Sequence, residues 1–119
     1  MAGSDMDRIK SKLFALNMRL AEVNHEVAAV RARVVSLEKQ LEDARLAALL
    51  GEEAGSPSEI GPELEAHRGK LADTQRLMER IQHSQWETRI RYMIARRLQM
   101  KDAQEAAKRR EGGEETEGS

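Results

Sequence analysis

The stretch that decides the fold is residues 6–50, MDRIKSKLFALNMRLAEVNHEVAAVRARVVSLEKQLEDARLAALL. It contains neither Gly nor Pro, and at about 1.5 Å per residue it predicts a helix roughly 70 Å long. Its apolar residues follow one another at alternating spacings of three and four without exception: Met6, Ile9, Leu13, Leu16, Leu20, Val23, Val27, Val30, Val34, Leu37, Leu41, Ala44 and Ala48. A seam of period 3.5 kept over about six heptads specifies a left-handed supercoil with a partner helix.

The ends of this first helix also have sequence signals. Ser4 can cap the free amides of the first turn, and Asp5 lies at the positive end of the helix dipole. Gly51 is a typical stop. We therefore predict an N-terminal cap segment at 1–4 and helix 1 at 5–50.

Residues 51–61 form an acidic polar loop, in which Gly, Pro and Ser are frequent. Two starts for a second helix compete here. Ser56 with Glu59 has the spacing of a capping box, whereas Gly61 followed by Pro62 puts a proline at the first helical position. We favour the second start.

The prediction for the rest of the chain is helix 2 at 62–110 and a disordered acidic tail at 111–119. The apolar line of helix 2 takes steps of seven, with one step of eight: Leu64, Leu71, Met78, Trp86, Met93 and Met100. The mean step of about 7.2 is two turns of an undistorted α-helix and not a strict heptad. We expect a helix that does not supercoil uniformly.

Two helices of similar length joined by a short loop favour an antiparallel hairpin. In this arrangement, residues whose numbers sum to about 112 face each other, so Val34 lies opposite Met78. The competing arrangement is a parallel homodimer through helix 1, which attractive flanking charges such as Glu26 and Arg31 permit. The predicted fold class is all-α, a long antiparallel helical hairpin or coiled coil that is part of a larger helical bundle.

The larger bundle is predicted from a second apolar line on helix 1. Phe14, Ala21, Ala28, Val35 and Leu49 lie at multiples of seven residues, interrupted at Glu42. Two apolar flanks on one helix indicate more than one neighbour. Methionine adapts to irregular surfaces and Trp is enriched at interface hot spots. We predict partner binding through Met6, Ile9, Leu13, Phe14, Leu16, Met18, Leu20, Val35, Trp86, Ile90, Met93, Ile94, Leu98 and Met100. The opposing interpretation is that Trp86 and the methionines fill the hairpin's own interface.

Charge is strongly polarised along the chain, although the total is −1. Residues 38–65 contain eight acidic and two basic residues, and residues 86–110 contain eight basic and three acidic residues. The basic residues that could contact phosphates or an acidic partner are Arg89, Arg91, Arg96, Arg97, Lys101, Arg109 and Arg110. They are spread around the helix with few stacking aromatics, so a solvated basic flank is the commoner explanation. A membrane-surface helix is the weakest interpretation.

Signals for catalysis are sparse. The chain has no Cys and no Gly-rich phosphate loop. Glu22 and His25 have the Glu-x-x-His spacing of di-iron bundles but lie away from the seam. We expect no enzyme activity, no cofactor and no metal site. The predicted function is a non-enzymatic coiled-coil structural or adaptor subunit that assembles with other helical subunits, homo-oligomeric or heteromeric, in the cytoplasm or nucleus. The alternative is a nucleic-acid-associated helical protein that uses residues 89–110.

Overall fold

The computed structural model describes the backbone of residues 2–52 and 55–117 and the side chains of residues 5–52 and 55–112. It contains two helices, α1 (Ala2–Leu49) and α2 (Pro57–Glu117), and no strand in the described part of the chain. The helices pack as an antiparallel hairpin, which confirms the predicted all-α hairpin, and the larger bundle stays a prediction.

A Schellman motif ends α1. Gly51 has a φ of 72°, in the left-handed region that glycine adopts most easily. Its amide donates to the carbonyl of Ala48 at 3.3 Å, and the amide of Glu52 donates to the carbonyl of Ala47 at 2.8 Å. These two bonds satisfy carbonyls that the helix itself leaves free. Gly51 therefore stops α1, as its position in the sequence predicts.

The helix starts differ from those expected. Because α1 begins at Ala2, Ser4 lies inside the helix, and the predicted capping by its side chain falls outside the described side chains. Helix α2 begins at Pro57 and not at Pro62, so the chain uses the first of the two candidate starts. The amides of Glu59 and Ile60 donate to the carbonyl of Ser56 at 3.0 and 3.1 Å. Pro at the first helical position needs no partner for its missing N–H.

The far end of α2 also differs from the expectation. The backbone is helical to Glu117, through most of the segment predicted as a disordered tail at 111–119. Once a helix is formed, each added residue gains a hydrogen bond without a new nucleation step, and two glycines do not end α2 here. Gly118 and Ser119 lie outside the described residues.

One line of buried and half-buried positions on α2 follows a strict alternation of three and four. They are Ile60, Leu64, His67, Leu71, Thr74, Met78, Ile81, Gln85, Thr88, Tyr92 and Ala95, here called the α2 seam. The expected step of eight from Met78 to Trp86 is therefore wrong, because the helix continues its heptads through Ile81 and Gln85. The polar side chain of Gln85 occupies the seam position at which the sequence pattern placed its larger apolar neighbour Trp86.

The chain divides into two compact units. Unit 2 is Met18–Gln82, and its core consists of Val30, Val34, Leu37, Leu41 and Leu64, with Ile60 and Leu71 packed against it. Leu37 is fully buried. Beyond Leu41 the buried positions are Ala44 and Ala47. Ala48, expected in the seam, is exposed, because the turn folds back to bond with Ala47.

Unit 1 comprises Met1–Asn17 and His83–Ser119. Its buried side chains are Met6, Gln85 and Thr88. The Gln85 side-chain amide donates to Asn17 Oδ1 at 2.6 Å, and the Thr88 hydroxyl donates to the Ser84 carbonyl at 2.6 Å. Unit 1 thus satisfies its buried polar groups within the hairpin, and its core is more polar than that of unit 2.

The pairing of the two helices is shifted relative to the expected sum of 112. Three contacts, each within one unit, show which residues of α1 and α2 face each other. They join Arg33 to Glu63 at 2.7 Å, Glu38 to Arg68 at 3.5 Å, and Asn17 to Gln85 at 2.6 Å. Their residue numbers sum to 96, 106 and 102. The shift arises because α2 begins five residues earlier than predicted, which moves the middle of the turn toward the N-terminus.

Candidate helix-docking surfaces

In unit 1, helix α2 has an inverted polarity. Its buried side chains are polar, with Gln85 6% and Thr88 2% exposed, whereas Trp86 is 60% and Met93 67% exposed. Large apolar residues normally face the core, and a contiguous exposed set of them marks an interaction surface. We call this set the outer strip of α2: Trp86, Ile90, Met93, Ile94, Leu98 and Met100.

Two open grooves lie on the outer strip. The first has a volume of about 210 Å³ and is lined by Ile90, Met93, Ile94 and Arg97. The second has a volume of about 520 Å³ and is lined by Met93, Arg96, Arg97, Met100, Lys101 and Gln104. Each groove therefore joins an apolar floor to cationic side chains. This combination suits a partner helix that is apolar along one face and acidic beside it.

The indole of Trp86 stacks on the imidazole of His83. Their ring centroids are 6.2 Å apart and their planes differ by 25°. His83 Nε2 in turn lies 3.0 Å from Glu87 Oε1, one helical turn away. These contacts restrict the indole while most of it stays exposed. Docking onto an already ordered side chain loses less conformational entropy.

The structure separates the predicted partner-binding residues into two sets. Met6 is buried, and Ile9, Leu13, Leu16 and Leu20 are half-buried within the hairpin. Their surface is occupied by hairpin packing, because a seam of period 3.5 turns them toward α2. The other predicted residues are exposed, except for the half-buried Ile90: Phe14, Met18, Val35, Trp86, Met93, Ile94, Leu98 and Met100.

The interpretation that Trp86 and the methionines fill the hairpin's own interface fails for the outer strip. Trp86, Met93 and Met100 are each more than half exposed. Sequence reasoning missed Gln85 and Thr88 as interface residues because it followed side-chain size. A strict seven-residue step from Met78 leads to Gln85 and would have found the α2 seam.

The predicted cationic residues all lie on the exposed surface of α2. No ion pair joins the following residues to any side chain that the structure describes: Arg89, Arg91, Arg96, Arg97, Lys101, Arg109 and Arg110. Arg96, Arg97 and Lys101 line the second groove of the outer strip. They are therefore available to an acidic partner or to phosphate.

A second exposed surface lies on α1 in unit 2. Val35, Leu46 and Leu49 are 60%, 56% and 84% exposed. With Lys39 and Glu42 they continue a spacing of four, three, four and three along the helix. We call residues 35, 39, 42, 46 and 49 the acidic strip of α1, because Glu38 and Asp43 flank it. Glu42 and Asp43 have no ion-pair partner among the described residues.

Glu38 belongs to a small charge network with Arg68 and Glu65. Arg68 lies 2.8 Å from Glu65 and 3.5 Å from Glu38. The hydrogen bond to Glu65, with the attraction of both carboxylates, outweighs the opposing effect of desolvation and raises the pKa of Arg68 above its usual value. Arg68 therefore stays charged, and it leaves Glu38 with only a long contact.

No metal-ligand cluster and no membrane span emerge from the described residues. Among the side chains that the structure describes, residues 5–52 and 55–112, no three His, Asp or Glu are grouped so that they could hold a metal ion. Glu22, half of the Glu-x-x-His pair, lies 2.9 Å from Arg19 in an exposed ion pair. Neither helix, over the same residues, is apolar enough for long enough to cross a bilayer.

Comparison with protein-family models, curated proteins and solved structures finds no match to this chain. The functional conclusion therefore depends on the exposed surfaces alone.

Proposed function

We propose that this protein is a coiled-coil structural or adaptor subunit, whose α2 binds helices of other subunits through its outer strip. The observation that supports this proposal best is the inverted polarity of α2 in unit 1. Gln85 and Thr88 occupy the hairpin interface, and Trp86 and Met93 remain outside it. A helix that served only its own hairpin would gain by the opposite arrangement.

The chemistry of the outer strip fits helix docking. Its residues follow helical spacing, and flexible methionines and an ordered Trp are suited to a shaped apolar contact. The flanking cations add selectivity for an acidic partner, because charge complementarity at an interface rim steers association. The protein's role is to assemble with other subunits. It selects a partner helix that has an apolar face with acidic residues beside it.

The test is a matched pair of Glu substitutions in the full chain. Met93→Glu places a carboxylate in both grooves. It should lower at least tenfold the amount of other helical subunits that copurify with the chain. Ala66→Glu adds the same charge at an exposed site of α2 in unit 2 and should leave them bound. Helix content by circular dichroism should be the same for both variants and the wild type. Partner binding that Met93→Glu leaves intact would refute the assignment of the strip.

The alternative, a nucleic-acid-associated helix, is favoured by the exposed cations of α2, which form no ion pair with any described side chain. Binding to phosphates should fall steeply as salt is raised, because counterions are released, whereas apolar docking should not. A gel-shift series on wild type, Met93→Glu and Arg109→Ala separates the two functions. Nucleic-acid binding that survives Met93→Glu but weakens with Arg109→Ala would replace the adaptor proposal.

A further inference from the structure

We infer that the outer strip of α2 binds the acidic strip of α1 on a second copy of this chain, with the two helices antiparallel and Arg97 opposite Glu42. This inference depends on the proposed docking role of the outer strip and names its partner. It joins unit 1 of one copy to unit 2 of another.

All five positions of the two strips coincide when the helices run antiparallel, whereas a parallel pairing aligns at most four of them. Along α2, the outer-strip residues Ile90, Met93 and Met100 alternate with the groove residues Arg97 and Gln104, so that positions 90, 93, 97, 100 and 104 are separated by three, four, three and four residues. Read from its C-terminal end, the acidic strip of α1 has the same separations: Leu49, Leu46, Glu42, Lys39 and Val35. Five layers therefore coincide in one antiparallel register, as the packing of knobs into holes requires.

The chemistry of the layers is complementary in this register. Ile90 faces Leu49 and Met93 faces Leu46, so the two apolar layers are adjacent. Next to them Arg97 faces Glu42, and a carboxylate accepts two parallel hydrogen bonds from a guanidinium.

The flanks of the contact also carry opposite charges. In an antiparallel pair, Arg96 shares one flank with Glu38 and Arg45, and Lys101 shares the other flank with Asp43. Two weaker layers complete the contact: Met100 lies along the stem of Lys39, and Gln104 meets Val35. The flank of Lys101 and Asp43 is attractive, and on the other flank Arg96 can reach Glu38 although Arg45 lies near it.

The same strips do not fit in a parallel orientation. Keeping Arg97 opposite Glu42 would then place Met93 against Glu38, and Lys101 against Leu46. Each of these contacts puts a charge on an apolar side chain, whereas the five antiparallel layers do so only once, where the stem of Lys39 lies along Met100. The direction of the contact therefore follows from the order of residues on each helix.

Both strips are free to make this contact. Met93, Leu46 and Leu49 are all more than half exposed. Arg97 and Glu42 form no ion pair within the described residues. The opposite charge balance of residues 38–65 and 86–110 adds long-range attraction between copies, because each copy carries both charges.

Because the two strips differ, the contact is heterologous. The experiment is sedimentation and native mass measurement of the purified full chain over a dilution series up to about 100 μM. We expect concentration-dependent self-association of the wild type. Arg97→Glu alone and Glu42→Arg alone should each weaken it at least tenfold, because each puts like charges together.

Mixing the two variants is the decisive step. The reversed charges attract each other, and the unchanged Arg97 of one variant still meets the unchanged Glu42 of the other, so a 1:1 assembly should reappear. Arg80→Glu and Glu79→Arg are matched controls, since they change the net charge equally at exposed sites outside both strips. Both controls should associate like the wild type.

A wild-type chain that stays monomeric throughout the series, a mixture that fails to reassociate, or controls that dissociate equally would overturn the inference. The proposed function fails separately. If the purified chain is monomeric but Met93→Glu still removes other subunits, the docking strip is correct and its partner is a different protein.

Discussion

The side-chain amide of Gln85 donates a hydrogen bond to the side-chain oxygen of Asn17, 2.6 Å away, and joins α2 to α1 within unit 1. Gln85 is 6% exposed and occupies an α2 seam position that heptads usually fill with an apolar residue. A polar pair at such a position favours the one register in which both groups are satisfied. This pair is therefore a marker of how the two helices align.

Replacing one residue of the Asn17–Gln85 pair should lower the free energy of unfolding more than replacing both. Asn17→Leu leaves the buried Gln85 amide without its protein acceptor and should lower the free energy of unfolding by about 1–3 kcal/mol. Combining it with Gln85→Leu should restore the loss, because no polar group then remains at the interface. Urea unfolding at one fixed protein concentration measures both variants. A double variant less stable than the single one would contradict the pairing.

Two glycine substitutions should act in opposite directions. Gly51→Ala forces a side chain into a φ of 72° and should lower stability by about 1–2 kcal/mol. Gly69→Ala lies inside α2 and should raise stability by up to about 1 kcal/mol. An added Cβ meets no atom within 4 Å at either site, so only the backbone conformation differs. Thermal unfolding would show the opposite shifts, and equal shifts would argue against the Schellman motif.

The register of unit 2 can be read from the coupling of Arg33. Arg33 lies 2.7 Å from Glu63, whereas the sum of 112 expected from the sequence would pair it with Glu79. Both partners of the observed pair are exposed, so a double-mutant cycle with Ala should give only about 0.2–1 kcal/mol. The same cycle for Arg33 and Glu79 should give none. A larger coupling to Glu79 would support the register that the structure contradicts.

The fluorescence of the single Trp reports whether the outer strip is free. Trp86 is 60% exposed, so the dilute folded protein should emit near the wavelength of the urea-unfolded chain and should be quenched by iodide. Burial of the indole on docking should shift the emission to shorter wavelength and protect it from the quencher. A strongly blue-shifted emission in the dilute monomer would return Trp86 to the hairpin interface.

Much of the fold was predictable because helix 1 has a strong pattern. From Met6 to Leu41 the apolar residues are always three or four positions apart. Gly51 ends the helix with a φ above zero, a conformation that glycine adopts easily. These signals are local, since spacing decides which face of a helix is apolar and glycine decides where it can end. The α2 seam was harder to predict, because Gln85 and Thr88 look like surface residues in isolation.

The candidate site was only partly predictable for the same reason. The sequence predicts partner binding for the set from Trp86 to Met100, but it also places Trp86, Met93 and Met100 on the apolar line of helix 2. Met6 and Leu13 were grouped with it, although they pack within the hairpin. Hydrophobicity shows which residues avoid water. It does not show which face of α2 is covered by α1.

The sequence by itself determined that this protein is two long helices with an unbroken seam on the first, a stop at Gly51 and opposite charges in residues 38–65 and 86–110. Only the tertiary structure decided that α2 begins at Pro57 and that Gln85, not Trp86, faces α1. The physical reason is that a turn's position sets the register of everything beyond it. That register and the Asn17–Gln85 hydrogen bond decide which side chains of α2 are buried. Both depend on the two helices packing together, so neither can be read from one helix alone.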